Sequence, residues 1–193
     1  MKRLVVIPLV AVLLGGGVAS AAPAAPAAPA AAGSVTCPTG WGSLPKSATS
    51  TNSQPLTNVR AGAHSCFDRL VLDVPGTSAA HPVGYHVQYV DTLYQDGSGR
   101  PIAVRGGAVL EIYADAPSYS PATGTPTYPG RAGQPPPGVD LTGYRTFVEA
   151  KFASSFEGRT QLGLGVRARL PFQVFQLDDR LVIDVAHSWT ATP

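Results

Sequence analysis

A seven-residue stretch that occurs twice is the strongest constraint on how this chain can fold. Asp-Arg-Leu-Val-Leu-Asp-Val occupies positions 68–74, and Asp-Arg-Leu-Val-Ile-Asp-Val occupies positions 179–185. The period of two in a β-strand sends the Leu, the Leu or Ile and the last Val of each copy to one face, and the Arg, the middle Val and the second Asp to the other. Each copy therefore predicts a strand with an apolar core face and a charged opposite face.

The charged face of the repeated stretch is complementary to itself. If two copies lie antiparallel, Val71 faces Val182 and each Arg faces an Asp of the other copy. Opposite charges directly across a strand pair stabilise it by roughly 0.2–1 kcal/mol each. We therefore predict a duplicated β unit that closes on itself through these two strands.

Further alternating segments between the two copies predict more strands. They lie at 85–94, 102–104, 108–114, 144–152 and 172–177, and turn residues such as Asp96-Gly97-Ser98-Gly99 separate them. Beyond the N-terminal leader no stretch keeps apolar residues at the 3.6 spacing of a helix for three turns. The fold class expected is all-β: a single β-sandwich-like domain built from a duplicated strand unit, over residues 60–189. A chain of this size buries roughly two thirds of its surface, which is enough for one core.

The first residues predict export. Lys2 and Arg3 precede an apolar run at 4–14, and Ala19-Ser20-Ala21 has the small residues of a cleavage site, so residues 1–21 have the pattern of a signal peptide. The apolar run is shorter than the roughly 20 residues that span a bilayer. The mature chain is therefore expected to be secreted or extracellular, with no membrane insertion after signal cleavage. The chain has 14 Lys and Arg residues and 12 Asp and Glu residues. Without Lys2 and Arg3 the two counts are equal and the net charge is zero, which disfavours a nucleic-acid partner.

Residues 22–35 repeat Pro-Ala-Ala and contain almost nothing to bury. Such a composition favours an extended, semi-rigid linker. The linker is either a stalk that holds the domain clear of the membrane or wall, or an unselected disordered leader, and the residues leave both open.

The only two cysteines, Cys37 and Cys66, are predicted to form a disulfide, because thiols oxidise in exported proteins. The bond would tether the polar segment 36–59 to the edge of the first repeated strand. A reactive thiol pair is the alternative, but the spacing is not Cys-x-x-Cys.

The segment 115–141 is rich in Pro and Gly, which excludes a regular element there. A loop this long in a compact domain is usually functional or disordered. Tyr113, Tyr119 and Tyr128 in and beside it could stack on sugar rings or could belong to ordinary surface coil.

The strongest candidate site is one face of the strand predicted after Gly158. Alternate residues from Thr160 to Leu170 line the apolar face. The opposite face carries Arg159, Gln161, Gly163, Gly165, Arg167 and Arg169. Glycines leave a backbone open to close approach, and Arg forks suit the carboxylates that peptidoglycan stem peptides carry. A solvated sheet face with glycines at a bulge or bend is the alternative.

The chain offers no catalytic or metal-binding motif. His64, His81, His86 and His187 have no metal-ligand spacing, and no Gly-x-Ser-x-Gly elbow is present. The acids Asp68, Asp73, Asp179 and Asp184 belong to the repeated strands, so we expect them to be structural rather than a catalytic pair. We expect His187 to be packed or hydrogen-bonded rather than a catalytic base. A Gly-x-Gly-x-x-Ala match at 163–168 lacks the helix that a dinucleotide site requires. No cofactor and no enzymatic activity are therefore expected.

Several sequence segments, in the order in which they occur, resemble those of a known family. They are Cys66 to Asp73, Gly84 to Val90, Phe156-Glu157-Gly158, and Pro171 to Val174 followed by Arg180 to His187. Over about residues 60–189 the chain resembles the AMIN-like domain of secreted bacterial cell-envelope proteins, which is related to the AMIN domain of cell-wall amidases. The resemblance implies a β-sandwich that associates with the cell envelope, and it supplies no established site residues.

Export, the linker, the resemblance and the Arg-Gly face together predict a secreted, non-catalytic cell-envelope binding module with peptidoglycan as its partner. The alternative is a protein–protein assembly module of the envelope without affinity for glycan. An enzyme acting on wall polymers is a third and weaker hypothesis.

Overall fold

The computed structural model describes residues 36–50 and 52–189. The predicted signal peptide at 1–21 and the linker at 22–35 lie outside the described residues. Within the described ranges all regular structure is β-strand, and no helix occurs. The strands are β1 (Lys46–Ala48), β2 (Asn58–Ala63), β3 (Phe67–Asp73), β4 (Tyr85–Val90), β5 (Leu93–Tyr94), β6 (Pro101–Ile102), β7 (Ala108–Ala114), β8 (Phe147–Phe156), β9 (Arg159–Val166), β10 (Phe172–Leu177) and β11 (Arg180–Ala186).

Two antiparallel sheets pack face to face and confirm the predicted sandwich. The first sheet has the order β1-β4-β7-β9-β8, and the second has the order β10-β11-β3-β2. The short pair β5-β6 forms its own ladder and is not part of either sheet. The core between the sheets combines the apolar faces of β7 and β9 with those of β3 and β11, as alternation along each strand requires.

The two repeated stretches are neighbours at the centre of the second sheet. β3 and β11 pair along seven positions, with Val71 opposite Val182 and Arg69 opposite Asp184, as predicted. The Arg69 Nε lies 2.6 Å from a carboxylate oxygen of Asp184. The face with Leu70 and its equivalents is fully buried in the core.

Only one of the two expected charge pairs forms across this pair of strands. Arg180 is opposite Asp73 in the register, yet Asp73 binds the guanidinium of Arg60 from β2, at 2.9 Å. Arg180 instead donates to the carbonyl oxygen of Asp178. The expectation of two equivalent pairs is wrong because β3 has a second neighbour, β2, which supplies a competing cation at Asp73.

Some strand boundaries differ from the predictions for local reasons. The strand expected at 85–94 breaks after Val90, and its last part pairs in the separate β5-β6 ladder. The strand expected from 144 begins at Phe147, because the Asp68 carboxylate accepts the N–H groups of both Thr146 and Phe147. The sequence pattern does not predict β1 or β2. Strand β1 has only three residues, and the small residues of β2 give a weak alternation.

The predicted disulfide between Cys37 and Cys66 is present. The polar segment 36–59 is more than a tethered loop, because it adds β1 to the edge of the first sheet and places Leu56 in the core. The segment 115–141 contains no strand, as predicted, and it packs closely on the sandwich. Tyr128 is only 3% exposed and donates to the carbonyl oxygen of Pro137, so it is a structural residue rather than a sugar platform.

Candidate functional site

The middle of the predicted site face on β9 is covered by the chain itself. Gln161, Gly163 and Gly165 are all buried. A Cβ at Gly163 would collide with the side chain of Leu93, and a Cβ at Gly165 would collide with the carbonyl oxygen of Arg105. The glycines thus make room for the segment 93–105 of the same chain. The expectation of a face open to a ligand is wrong at these three positions.

Gln161 is the anchor of the covering segment. Its side-chain oxygen accepts the N–H of Asp96 at 2.8 Å, and its amide donates to Tyr94 O at 2.8 Å and to Glu111 Oε1 at 2.8 Å. These bonds satisfy a fully buried amide, so the residue positions the β5-β6 segment and has no free group for a ligand.

The three arginines of the face lie at the two ends of β9. At its start, Arg159 is 3.6 Å from Asp96 Oδ2 and lies over the Tyr113 ring. Burial, followed by the charges of Glu111 and Asp96, raises the pKa of Tyr113 to about 12. Beyond the other end, Arg167 donates to the carbonyl oxygen of His187. The six predicted residues therefore do not form one continuous surface.

Arg169 is exposed and lies three residues beyond the end of β9. Its guanidinium is 5.2 Å from the ring centre of Tyr89 and contacts Ser43 at 3.3 Å. The ring of Tyr89 packs edge-on against the ring of Phe172. The Lys46 ammonium lies 4.6 Å from the centre of the Phe172 ring, so Lys46 and Arg169 contact the same pair of aromatic rings. Burial lowers the pKa of Lys46 below its usual value.

We call Lys46, Arg167 and Arg169 the basic surface. Among the described residues none of the three has a carboxylate oxygen within 4.0 Å, and the same holds for Arg100, Arg131, Arg145 and Arg180. The basic surface differs from those four because Lys46 and Arg169 also lie over aromatic rings. The three cations donate instead to backbone carbonyl oxygens and a serine. A cation that is held in place but not neutralised is available to an anionic ligand.

Two cavities lie near Arg169, which itself lines only the first of them. One, of about 410 Å³, is lined by Tyr89, Gly106, Gly107 and Arg169 itself. The other, of about 240 Å³, is lined by Trp41, Trp189, Pro38 and Pro171. Sequence reasoning missed both tryptophans as site residues. The signal was present, since the chain has only two tryptophans and they flank the two ends of the domain.

A buried polar cluster at the same end of the sandwich has a structural role. The Asp68 carboxylate on β3 accepts the N–H of Thr146 at 2.6 Å and that of Phe147 at 3.0 Å, and it contacts His187 Nε2 at 3.0 Å. The cluster thus joins the second sheet to the start of β8 in the first. The Thr146 hydroxyl donates to the carbonyl oxygen of Ala186, and in the described ranges it has no hydrogen bond to the His187 ring. His187 is hydrogen-bonded, as predicted.

The acids of the repeated strands are also engaged within the protein. Asp73 and Asp184 pair with arginines, and Asp179 accepts the N–H of Gly76 at 2.7 Å. In the described ranges no group of three or more His, Cys, Asp or Glu side chains is arranged to hold a metal ion. The same ranges contain no helix of the length and apolarity needed to cross a membrane.

Together these features define a class: an antiparallel β-sandwich domain that carries the basic surface and an exposed tryptophan bonded to the backbone of Arg169. The sequence profile of the AMIN-like domain matches residues 54–187, which is more than half of the chain. The chain belongs to the AMIN-like domain family, which confirms the resemblance expected over about residues 60–189. No curated protein and no solved structure matches the chain.

Proposed function

We propose that this protein is a secreted, non-catalytic module of the cell envelope that binds peptidoglycan. The observation that carries the proposal is the basic surface, whose three cations have no carboxylate partner among the described residues. Membership of the AMIN-like family and the Cys37–Cys66 disulfide support a location outside the cytoplasm.

The ligand chemistry follows from the guanidinium groups of Arg167 and Arg169. A guanidinium offers a planar fork of donors that matches a carboxylate in two-point contact. Peptidoglycan stem peptides carry carboxylates close to the glycan. Because the arginines are exposed, the interaction is expected to weaken as salt increases. Arg159 is a secondary candidate, since it lies at the far end of β9 and already contacts Asp96.

The absence of enzymatic activity is part of the proposal. The Asp68–His187 pair has its carboxylate occupied by two backbone N–H groups, and among the described residues the Thr146 hydroxyl has no hydrogen bond to the His187 ring. The four acids of the repeated strands bind arginines, backbone N–H groups or His187. A domain arranged in this way retains a wall polymer without transforming it.

The test is co-sedimentation of the mature protein with purified peptidoglycan sacculi at physiological salt. The Arg167→Gln/Arg169→Gln double variant is expected to pellet at least several-fold less than the wild type. An Arg100→Gln/Arg131→Gln double variant is the matched control, because it removes two exposed charges elsewhere and should pellet normally. Circular dichroism and urea unfolding establish that both variants are folded.

Two outcomes contradict the proposal. Wild-type protein that stays in the supernatant with sacculi does not bind peptidoglycan, and cross-linking to an envelope protein would then favour the assembly-module alternative. Release of labelled products from the sacculi would show that the protein is an enzyme.

A further inference from the structure

We infer that the cavity between Trp41 and Trp189 is a subsite for one sugar ring of an acidic glycan, with Arg169 placed to bind a carboxylate attached to that ring. We call this cavity the tryptophan cleft, and its other walls include Pro38 and Pro171. The inference deepens the proposed function and rests on it.

Trp189 presents an aromatic face to solvent. The residue is 58% exposed, although a residue of this size is usually largely buried. The indole N–H donates to the carbonyl oxygen of Arg169 at 3.1 Å, so the polar end of the side chain is already satisfied. What remains free is the flat π face, which is the part that stacks on a ligand.

Trp41 is held in place on the opposite wall. Its ring packs against Phe67 at 5.5 Å between centroids, and its carbonyl oxygen accepts from Lys46 at 2.8 Å. The next residue, Gly42, accepts the N–H of Phe172 at 2.9 Å, and the Cys37–Cys66 bond ties down the preceding chain. A wall fixed in this way loses little entropy when a ligand binds.

The size of the cleft selects one ring rather than a long segment. At about 240 Å³ it is smaller than the roughly 300–1,000 Å³ of sites that enclose drug-sized ligands. The axial C–H groups of a pyranose carry partial positive charge and suit the negative face of an indole. A single ring of a longer chain can therefore occupy the cleft while the polymer continues into solvent.

The charge around the cleft selects an acidic glycan. Arg169 is linked to both walls, since its backbone holds Trp189 and its side chain contacts Ser43, two residues after Trp41. Lys46 is bonded to the Trp41 carbonyl oxygen itself. With no carboxylate of the described chain neutralising either cation, an acidic group on the sugar is their natural partner.

The experiment uses the emission of the protein's own tryptophans. Because the chain has only two tryptophans and both line the cleft, all of its tryptophan emission reports on this site. Soluble disaccharide–peptide fragments of peptidoglycan are the acidic probe, and chitotetraose is the neutral probe. The fragments are expected to change the emission saturably, and chitotetraose should do so more weakly.

Variants separate stacking from charge recognition, with binding measured by calorimetry. Trp189→Ala is expected to weaken fragment binding by about tenfold or more, as for a central aromatic anchor. Arg169→Gln should weaken binding of the fragments but leave chitotetraose binding unchanged. Tyr94→Ala is the matched control, because Tyr94 is another exposed aromatic residue, at 55%, and lies outside the cleft. Trp41→Phe keeps the packing on Phe67 and provides a second test of the wall.

The outcomes distinguish the subsite from the proposed function. If sacculi pellet the wild type but fragments leave its emission unchanged, or if Trp189→Ala binds fragments normally, the subsite is wrong and the proposed function stands. If neither sacculi nor fragments bind, both are wrong. If a Pro-Ala-Ala peptide of residues 22–35 changes the emission and the fragments do not, the cleft is a peptide site instead.

Discussion

Two aspartates at equivalent positions of the repeated stretch have different surroundings. The Asp184 side chain is fully buried and accepts from both Arg69 Nε, at 2.6 Å, and Gln173 Nε2, at 2.9 Å. The Asp73 side chain is 21% exposed and pairs with the exposed Arg60. Hydrogen bonding to Asp184 raises the pKa of Arg69. Nearly identical local sequences therefore place the two aspartates in different surroundings, because β3 and β11 have different outer neighbours. The two ion pairs are expected to contribute unequally to stability.

Asp184→Asn should lower the free energy of unfolding by about 2–4 kcal/mol, since it leaves the partly buried Arg69 without its partner. Asp73→Asn, the equivalent change in the other copy, should cost less than about 1 kcal/mol because its ion pair is exposed. Urea unfolding of both variants at pH 7 measures the difference. Equal costs would show that the burial of Asp184 does not determine its contribution.

At the scale of the element, β9 combines an apolar face in the core with glycines on the opposite face. An antiparallel sheet commonly leaves one face to solvent, but here the segment 93–105 covers that face of β9. Gly165 meets the carbonyl oxygen of Arg105, which is backbone and cannot move aside as a flexible side chain could.

Gly165→Ala should therefore destabilise the protein by about 1–3 kcal/mol through overpacking. Gly62→Ala in β2 is the matched control, because its Cβ would meet only His64 Nε2, at an ordinary 3.6 Å. Restricting the unfolded chain should make this second change neutral or stabilising by up to about 1 kcal/mol. Thermal and urea unfolding compare the two variants. A stable Gly165→Ala protein would mean that the covering segment does not rest closely on β9.

At the scale of the whole molecule, the first and last described segments of the chain are both attached close to Arg169 and Phe172. The Cys37–Cys66 bond, the hydrogen bond from Phe172 N to Gly42 O and β1 all attach the N-terminal segment. The C-terminal Trp189 attaches through Arg169. The tryptophan cleft exists only because both attachments are made.

Replacing both Cys37 and Cys66 by alanine should lower the free energy of unfolding by about 3–4 kcal/mol, from the entropy of the loop that the bond closes. Loosening the N-terminal wall should also expose Trp41 and shift the tryptophan emission to longer wavelength. Urea unfolding and emission spectra of the double variant measure both effects. The reduced wild-type protein is the control, because it also lacks the disulfide and should behave like the variant. An unchanged unfolding midpoint would mean that β1 and Leu56 alone hold the segment.

Most strands other than β1 and β2, the apolar faces and the pairing of the two repeated stretches followed from the sequence, because alternation and charge complementarity along a strand are local properties. The disulfide followed from the cysteine count and the predicted export. Of the predicted site face, Arg159, Arg167 and Arg169 reach solvent. Nothing in the alternation from Arg159 to Arg169 indicates that the β5-β6 hairpin covers the residues between them.

The sequence by itself therefore determined an all-β chain with a self-complementary pair of strands, because a strand's faces depend only on its own residues. Tertiary structure alone decided which arginine pairs with Asp73, what fills the space above Gly163 and Gly165, and that Trp41 and Trp189 share one cleft. These depend on segments far apart in the chain, whose meeting is set by the packing of the two sheets and not by any local pattern.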